Sequence, residues 1–346
     1  MTRSRLVVGV SALVVLVGGL AAVGALYLDP ARAAVGPLPP QALSLPSGTR
    51  FVMGLDVKRF MASPFYQRFS AGKADRLRAF TELEEKTGIN PERDVDQIYV
   101  SGGQPGLPGR GGDGIMVIVG RFDRYKVSRA IETEKKGVTS KSVQGTTVYL
   151  FNEDPSGKGS GAAAFLDDNT IVMGAQPSVE QVVGSRGRGE APLRDNAGLL
   201  ALLEGVRPGS TFWMVGDQSL LSNLPKAIPG PGGAGTSQSI ELPALKSLTV
   251  TGDLDPQVSL DLTGEAGDEA AAKNLADVVR GFVALATLQA NTKPELKQLA
   301  SAISVTTEAT RVHVAARVPY DVIESLQPKR PSAPVAPAAP SAPSTP

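Results

Sequence analysis

Apolar residues recur along this chain with two periods, one typical of strands and one typical of helices. In Thr310–Val318, Val312, Val314 and Ala316 alternate with Arg311, His313 and Arg317. This alternation predicts an antiparallel sheet with one solvent-exposed face. In Asp268–Ala290 the large apolar residues recur at steps of three and four, at Leu275, Val278, Val279, Phe282, Leu285 and Leu288. That spacing predicts an amphipathic helix with Asp268 as its N-cap.

Two stretches of the chain carry the same residue types at the same spacing. Gly48–Asp56 and Gly209–Asp217 share Gly, Phe, Met and Asp, and Pro64 and Pro225 follow eight residues later. Further along, Ile98–Gly102 parallels Leu248–Gly252, and a second apolar run follows in both, at Ile115–Val119 and Val258–Leu262. This self-similarity predicts an internal duplication.

Each half is predicted to fold as β-α-β-β-α-β-β-α, the first over residues 47–190 and the second over 191–327. The first-half strands are expected near 50–55, 97–101, 115–120, 146–151, 162–166 and 170–174. The final hairpins are expected to turn at Asp167–Asn169 and near Glu308–Ala309, and short helices follow at Pro177 and Pro319. Helices are also expected to begin near Asp123 and to end at Gly88, after Thr81–Lys86. The predicted fold class is therefore α+β, with largely antiparallel sheets.

The N-terminus predicts a membrane anchor. Arg3 and Arg5 precede an uncharged run from Leu6 to Leu28, which is long enough for the about 20 helical residues that span a bilayer. The positive-inside rule keeps residues 1–5 cytoplasmic and exports the remainder. Ala31-Arg32-Ala33 also matches a signal-peptidase site, so cleavage near Ala33 is the alternative. Both interpretations predict an extracytoplasmic, periplasmic location, the first of them at the inner membrane.

Proline-rich segments flank the folded region. Residues 29–46 are predicted to form an extended stalk. In the tail, 328–346, proline occupies every third residue from Pro328 to Pro346. This period places every proline on one edge of a polyproline II helix. The disordered tail is either a spacer, a ligand for a groove that recognises Pro-x-x-Pro, or a solvated segment without a partner.

Composition excludes several classes of site. Cysteine is absent and His313 is the single histidine, so disulfides, thiolate nucleophiles, Cys-ligated zinc and multi-histidine metal sites are excluded. A net charge of +1 offers no electrostatic footprint for nucleic acid. No cofactor is predicted.

Several segments resemble known proteins. Asn274–Ala290, Thr87–Asp96 and the start of each repeat resemble an uncharacterised family of exported bacterial proteins. The resemblance covers about residues 45–327. It implies a membrane-anchored or exported, duplicated α+β ectodomain, and it implies no activity, ligand or catalytic residue.

Glycine-rich motifs are the first candidates for binding chemistry. Gly109–Gly114 and Gly230–Gly235 match G-x-G-x-x-G, but neither stands between a strand and a helix as a dinucleotide site requires. Ser156–Ser160 lacks the spacing of a phosphate-binding loop. We interpret all three as loops.

Acidic and basic residues give further candidates. Asp56 and Asp217 recur at equivalent positions and suggest either helix caps or a catalytic pair, and capping is the preferred interpretation. Asp167 and Asp168 could join Asp94 and Asp96 around calcium, but Asp-Asp-Asn is also ordinary turn chemistry. Arg186 and Arg188 are expected in a small basic loop, which could contact anionic lipid. His313 is expected to face solvent and Trp213 to lie in the core.

The sequence thus predicts a non-enzymatic, membrane-anchored protein that binds or scaffolds a component of the bacterial envelope. The alternatives are a hydrolase that uses carboxylates alone, in a cleft between the two halves, and a carrier of an apolar ligand. The hydrolase requires acids with raised pKa, and the carrier requires a cavity beside the Asp268–Ala290 helix.

Overall fold

The computed structural model describes residues 43–69, 74–103, 113–134, 138–151, 161–218, 227–229, 239–241, 244–289 and 294–326. The predicted membrane segment Leu6–Leu28, most of the stalk, and the tail from Pro328 lie outside these residues. Among the helices that the structure describes, none combines the length and apolarity needed to cross a membrane.

A mixed α+β architecture is built on one large antiparallel sheet. Its strands are β1 (Phe51–Asp56), β2 (Val95–Gly102), β3 (Ile115–Gly120), β4 (Val138–Val143), β5 (Thr146–Phe151), β6 (Gly161–Asp167), β7 (Thr170–Ala175), β8 (Phe212–Asp217), β11 (Leu245–Asp253), β12 (Val258–Ala266), β13 (Ile303–Glu308) and β14 (Arg311–Val318). They follow the order β13-β14-β12-β11-β8-β1-β2-β3-β7-β6-β5-β4. Two further strands, β9 (Ala227–Pro229) and β10 (Ser239–Glu241), pair with each other.

Helices occupy the connections between these strands. They are α1 (Val57–Ala62), α2 (Pro64–Phe69), α3 (Ala74–Thr87), α4 (Pro91–Asp94), α5 (Arg124–Glu134), α6 (Gln176–Gly187), α7 (Ala197–Glu204), α8 (Glu269–Gln289), α9 (Pro294–Ser301) and α10 (Tyr320–Leu326). The side chains of Asp56, Asp123 and Asp268 each accept a backbone N–H three residues later, as N-caps do. Gly88 follows α3 with a φ of 73°, which is the conformation of a C-terminal glycine.

The two halves of the chain meet at the centre of the sheet. β1 pairs antiparallel with β8, and Met53 lies directly opposite Met214. From this pair outward, one half runs β1-β2-β3-β7-β6 and the other runs β8-β11-β12-β14-β13. The order is the same in both directions, and β5 and β4 extend the first half alone. One sheet therefore continues across residue 190, the predicted boundary between the two halves.

Most predicted first-half strands lie within two residues of the observed ones, but β4 was missed. Its residues, Val138–Val143, alternate little in polarity, and four consecutive side chains are exposed. β4 is the terminal strand of the sheet, where one edge has no neighbour. Because an edge strand with exposed side chains needs no apolar face, periodicity could not detect it.

The sheet has two differently covered faces. We call the face that carries Trp213 and Val215 the front face. In the first half it is apolar and packs against α6 and α7, with Val179, Val182 and Leu199 fully buried. The opposite, back face packs against α1 and α10 through Phe60 and Val322, and against α8 through small residues.

Candidate functional site

The front face changes character in the second half of the sheet. Cross-strand register places polar side chains of β11, β12, β14 and β13 side by side on it. We call this surface the polar face; it comprises Ser247, Thr249, Thr251, Asp253, Ser259, Asp261, Thr263, Glu265, Ser304, Thr306, Glu308, Arg311, His313 and Arg317, with Ala315. α8 also contacts β12, β13 and β14, but it packs on the back face, where Ala272 and Ala276 meet Val312.

Charges of opposite sign lie side by side on the polar face. Arg311 lies directly opposite Glu308 on one side and Glu265 on the other. Opposed charges across strands stabilise a sheet modestly. The surface therefore presents hydroxyls and interleaved charges of both signs.

One row of polar residues crosses the front face, and it is buried at its centre. We call Gln97, Asp56, Thr211, Asp253, Ser259 and Arg317 the polar row, since they are cross-strand neighbours: Thr211 immediately precedes β8, and the others lie on β2, β1, β11, β12 and β14. Thr211, Asp253 and Ser259 are 2%, 4% and 3% exposed. The Tyr99 hydroxyl donates to Gln97 Oε1 at 2.7 Å. The row therefore has members from both halves of the chain, and the backbone bond from Asp56 N to Thr211 O joins them.

Asp253 is the unusual member of the polar row. Its Oδ1 accepts from the Thr211 hydroxyl at 2.8 Å, whereas its buried Oδ2 has no hydrogen-bond partner in the described part of the chain. Burial raises the pKa of Asp253, and the Thr211 bond, the charges of Arg59 and Arg207 and a backbone bond from Leu254 oppose this only in part. A buried ionised carboxylate with one unpartnered oxygen is poorly satisfied.

A short loop covers the inner edge of the polar face. We call Val206–Thr211 the Arg207 loop, because Arg207 forms an ion pair with Asp261 of β12. Val206 at its start is buried in the front core. Thr211 at its end accepts the Asp56 N–H at 2.8 Å. The loop thus links α7 to the polar face through Asp253 and Asp261.

The structure separates the two recurring aspartates. Asp56 caps α1, as predicted, while Asp217 pairs with Arg50 at 3.2 Å. Because β1 and β8 are antiparallel, the two residues lie at opposite ends of the pair. A catalytic pair of Asp56 and Asp217 is therefore excluded. Direct pairing of β1 with β8 also leaves no cleft between these strands for the hydrolase alternative, although Asp253 meets its requirement for a raised pKa.

The Asp167–Asn169 segment is a turn, as predicted. Asn169 N donates to Asp167 Oδ1 at 3.0 Å, and Asp168 pairs with Arg124 at 3.0 Å. Asp94 is bonded instead to Arg93 at 2.7 Å. Over the described residues, no three His, Asp or Glu side chains come together to hold a metal ion.

The expected basic loop is in large part a helix. α6 continues to Gly187 and so includes Arg186. Arg186 pairs with Asp167 at 2.6 Å, and Arg188 pairs with Glu190 at 2.6 Å. The basic loop was expected over Gly184–Gly189, and this interpretation was wrong for Gly184–Gly187. The turn continues the helix without large apolar residues: Gly184 and Ser185 are buried in α6, and Arg188 N donates to Gly184 O. With both guanidiniums neutralised locally, the segment offers no free charge pair for lipid headgroups.

The structure places Trp213 in the core and His313 on the polar face of its strand, as predicted. Trp213 is buried beside Tyr99, with ring centroids 6.2 Å apart. His313 lies on the polar face, and its Nδ1 is 3.0 Å from Thr263 Oγ1. Gly114 leads into β3, as predicted, whereas Gly109–Gly112, Gly230–Gly235 and Ser156–Ser160 lie outside the described residues.

Comparisons with known proteins add little. No protein-family model and no curated protein matches this chain, so the resemblance seen in Asn274–Ala290 remains a prediction. Two crystal forms of TP0453, III and I, align with TM-scores of 0.44 and 0.42 and with 10% and 12% identity. Each alignment covers 85% of this chain, and they cover 98% and 97% of TP0453. Similarity at this level supports no statement about shared function.

Sequence reasoning missed Asp253, Thr211 and Arg207. Asp253 continues the alternation of Thr249 and Thr251, so it reads as one more solvent-facing residue of a strand. Its hydrogen-bond donor Thr211 belongs to the Arg207 loop, which is distant in sequence. A polar residue at the end of an alternating strand, just before the apolar Leu254, was the one available indication.

Proposed function

We propose that this chain is a non-enzymatic, membrane-anchored protein of the bacterial envelope that binds or scaffolds a partner through the polar face. The observation that supports it most is that the polar side chains span four adjacent strands, while α8 packs on the other side of three of them, β12, β14 and β13. A surface of hydroxyls with interleaved charges of both signs suits hydrogen-bonded recognition better than electrostatic capture. The excess of acidic over basic side chains on it disfavours nucleic acid.

The proposed location rests on Leu6–Leu28 and the two arginines before it. In this arrangement the α+β region stands outside the cytoplasmic membrane on the stalk, and the tail 328–346 extends beyond it. We also propose that the region arose by duplication, because β1 and β8 carry the recurring sequence and begin the same strand order in opposite directions.

Export of the folded region is the first testable consequence. An alkaline phosphatase fused after residue 327 is expected to be active, and the fusion is expected to resist carbonate extraction from membranes. Replacing Arg3 and Arg5 by serine should lower reporter activity, because the positive charges orient the segment. Edman sequencing of the mature protein distinguishes the alternative: an N-terminus at Ala34 contradicts the anchor, and an inactive reporter contradicts export altogether.

Partner binding at the polar face is tested by site-specific photo-crosslinking in intact cells. Thr306 and Thr307 are adjacent and both exposed on β13, but Thr306 faces the polar side and Thr307 the back. A photo-reactive amino acid at Thr306 is expected to capture a discrete partner, and the same amino acid at Thr307 is not.

Repeating the Thr306 experiment without residues 328–346 separates the tail from the folded region. An unchanged adduct confines binding to the polar face, and its loss assigns a docking role to the tail. Equal capture at Thr306 and Thr307, or none at either, contradicts the proposed surface.

A further inference from the structure

The Arg207 loop is held against the sheet by two side-chain contacts of different strength. Arg207 and Asp261 form an ion pair at the partly exposed edge. Thr211 donates to Asp253 in the interior, where both residues are almost fully buried. The inner contact is the one whose acceptor can change its charge.

Asp253 is better accommodated as a neutral group than as an anion. An ionised carboxylate has lone pairs for about four hydrogen bonds. Among the described residues Thr211 donates to Oδ1, the backbone of Leu254 adds a smaller contribution, and Oδ2 has no hydrogen-bond partner. A protonated carboxyl keeps the Thr211 bond and leaves only a neutral hydroxyl unpaired. The cost of burying an unpaired polar group is much smaller than that of burying an unpaired charge.

Charged groups from several elements face this carboxyl. Arg59 on α1 and Arg207 on the loop favour the ionised form of Asp253. Tyr320 interacts electrostatically with Asp253 and with Asp255. Arg59 is shared, since it also pairs with Asp56 at 3.7 Å, and Arg207 is shared with Asp261. Each arginine is therefore shared between Asp253 and another carboxylate. Burial remains the largest cause of the shift in the pKa of Asp253.

We propose that Asp253 is a proton-controlled latch, which holds the Arg207 loop against β11 and β12 when the carboxyl is protonated and releases the loop when the carboxyl ionises. Release gives Oδ2 access to water, which satisfies the charge. It also uncovers Thr211 and the inner edge of the polar face. The device is independent of what the polar face binds.

The sign of the pH effect follows from proton linkage. The closed state has a raised pKa at Asp253, and the open state has the ordinary value of about 3.9. Closure is therefore favoured in full below about pH 3.9, and this contribution is lost as pH rises through the closed-state pKa. Between the open-state and the closed-state pKa of Asp253, the equilibrium constant for closing changes by up to about tenfold per pH unit.

Hydrogen exchange of the full chain in detergent micelles measures this latch directly. After correction for intrinsic rates, protection of the Asp56 and Ser210 amides, which donate to Thr211 O and Arg207 O, is expected to fall by up to about tenfold per pH unit as pH rises. In Asp253→Asn, which keeps the shape and cannot ionise, protection should not depend on pH. Asp217→Asn, on the same face but paired with Arg50, should behave as the wild type.

A second measurement needs no substitution. The carboxyl carbon of Asp253, observed by NMR in the ¹³C-labelled wild type, is expected to titrate above the ordinary range. Titration at or below about 3.9 overturns the latch. So does an identical pH dependence of amide protection in the wild type and Asp253→Asn.

Discussion

Replacing Gly54 by alanine is expected to destabilise the protein by about 3 kcal/mol, because the new methyl group has no room. A Cβ at Gly54 would stand 2.4–2.6 Å from three atoms of the Trp213 indole. Trp213 lies directly opposite Gly54 across the central β1–β8 pair. The indole is buried in the front core, so it cannot move aside without breaking other contacts.

The preceding residue of β8, Phe212, also packs its aromatic ring over a glycine of a neighbouring strand. Phe212 faces the back, and a Cβ at Gly252 would stand 1.8 Å from its ring. Gly252 lies directly opposite Phe212 on β11. An aromatic ring laid over a glycine on the next strand shields the exposed glycine backbone and fixes the register. The two glycines therefore lock both sides of β8 into the sheet.

A double-mutant cycle identifies the cause of the Gly54 effect. Trp213→Val introduces the residue found at the equivalent position of the first repeat, Val52, and removes the obstructing ring. Gly54→Ala combined with Trp213→Val should be at least about 1 kcal/mol more stable than additivity predicts, as expected for residues in direct contact. Urea unfolding followed by circular dichroism measures all four proteins.

Gly281→Ala serves as the matched control. Gly281 is exposed in α8, and nothing lies within 4 Å of a Cβ there. Alanine in an open helix position should stabilise the protein by about 1 kcal/mol. If Gly54→Ala is as stable as the wild type, or if the cycle shows simple additivity, the packing explanation is wrong.

Local patterns in the sequence predicted those parts of the fold that depend on neighbours in the chain. Alternation located most strands, and Asp56, Asp123 and Asp268 marked helix starts because a short acidic side chain can reach its own backbone. α8 was predicted from its large apolar residues, yet among the side chains that the structure describes in this helix the fully buried ones are Ala272 and Ala276. Small residues allow a helix to approach a sheet closely, and their role shows only once the partner strand, with Val312, is known.

The polar row could not be predicted because its members come from five strands and from the end of the Arg207 loop. Thr211 is linked to Asp253 across 42 residues, and the relation depends on the register of β8 with β11. Each residue alone is an ordinary polar position in a strand. Pairing between distant strands, rather than local pattern, brings these residues together. A single sequence therefore predicts the solvent-exposed face of the sheet but not the buried Asp253 carboxyl at its edge.

A second buried carboxyl, Asp94, joins β2, β3, α3 and α4. Its Oδ2 accepts from Asn90 N at 2.8 Å and from Arg93 Nη2 at 2.7 Å, while Oδ1 accepts from Arg93 Nε at 2.8 Å. Its backbone oxygen accepts from Arg121 N. Both carboxylate oxygens are satisfied, unlike those of Asp253, and Arg93 binds them in a bidentate geometry.

These contacts predict a pH dependence opposite to that of Asp253. Burial alone would raise the pKa of Asp94, but the hydrogen bonds from Arg93 and Asn90 outweigh burial and lower it. Asp94 therefore stabilises the fold in full above the unfolded value of about 3.9, and this contribution is lost as pH falls through the lowered folded value.

Asp94→Asn is accordingly expected to lower the free energy of unfolding by about 2 kcal/mol at pH 7, the usual contribution of hydrogen bonds to a charged group. The deficit should shrink as pH falls below about 4, since the wild-type carboxylate is then protonated too. Urea unfolding followed by Trp213 fluorescence at pH 7 and pH 3 measures both values. Asp123→Asn, an exposed N-cap substitution between two good caps, should change stability little at either pH. A deficit for Asp94→Asn that is equal at pH 3 and pH 7 would show that shape, and not charge, is what Asp94 supplies.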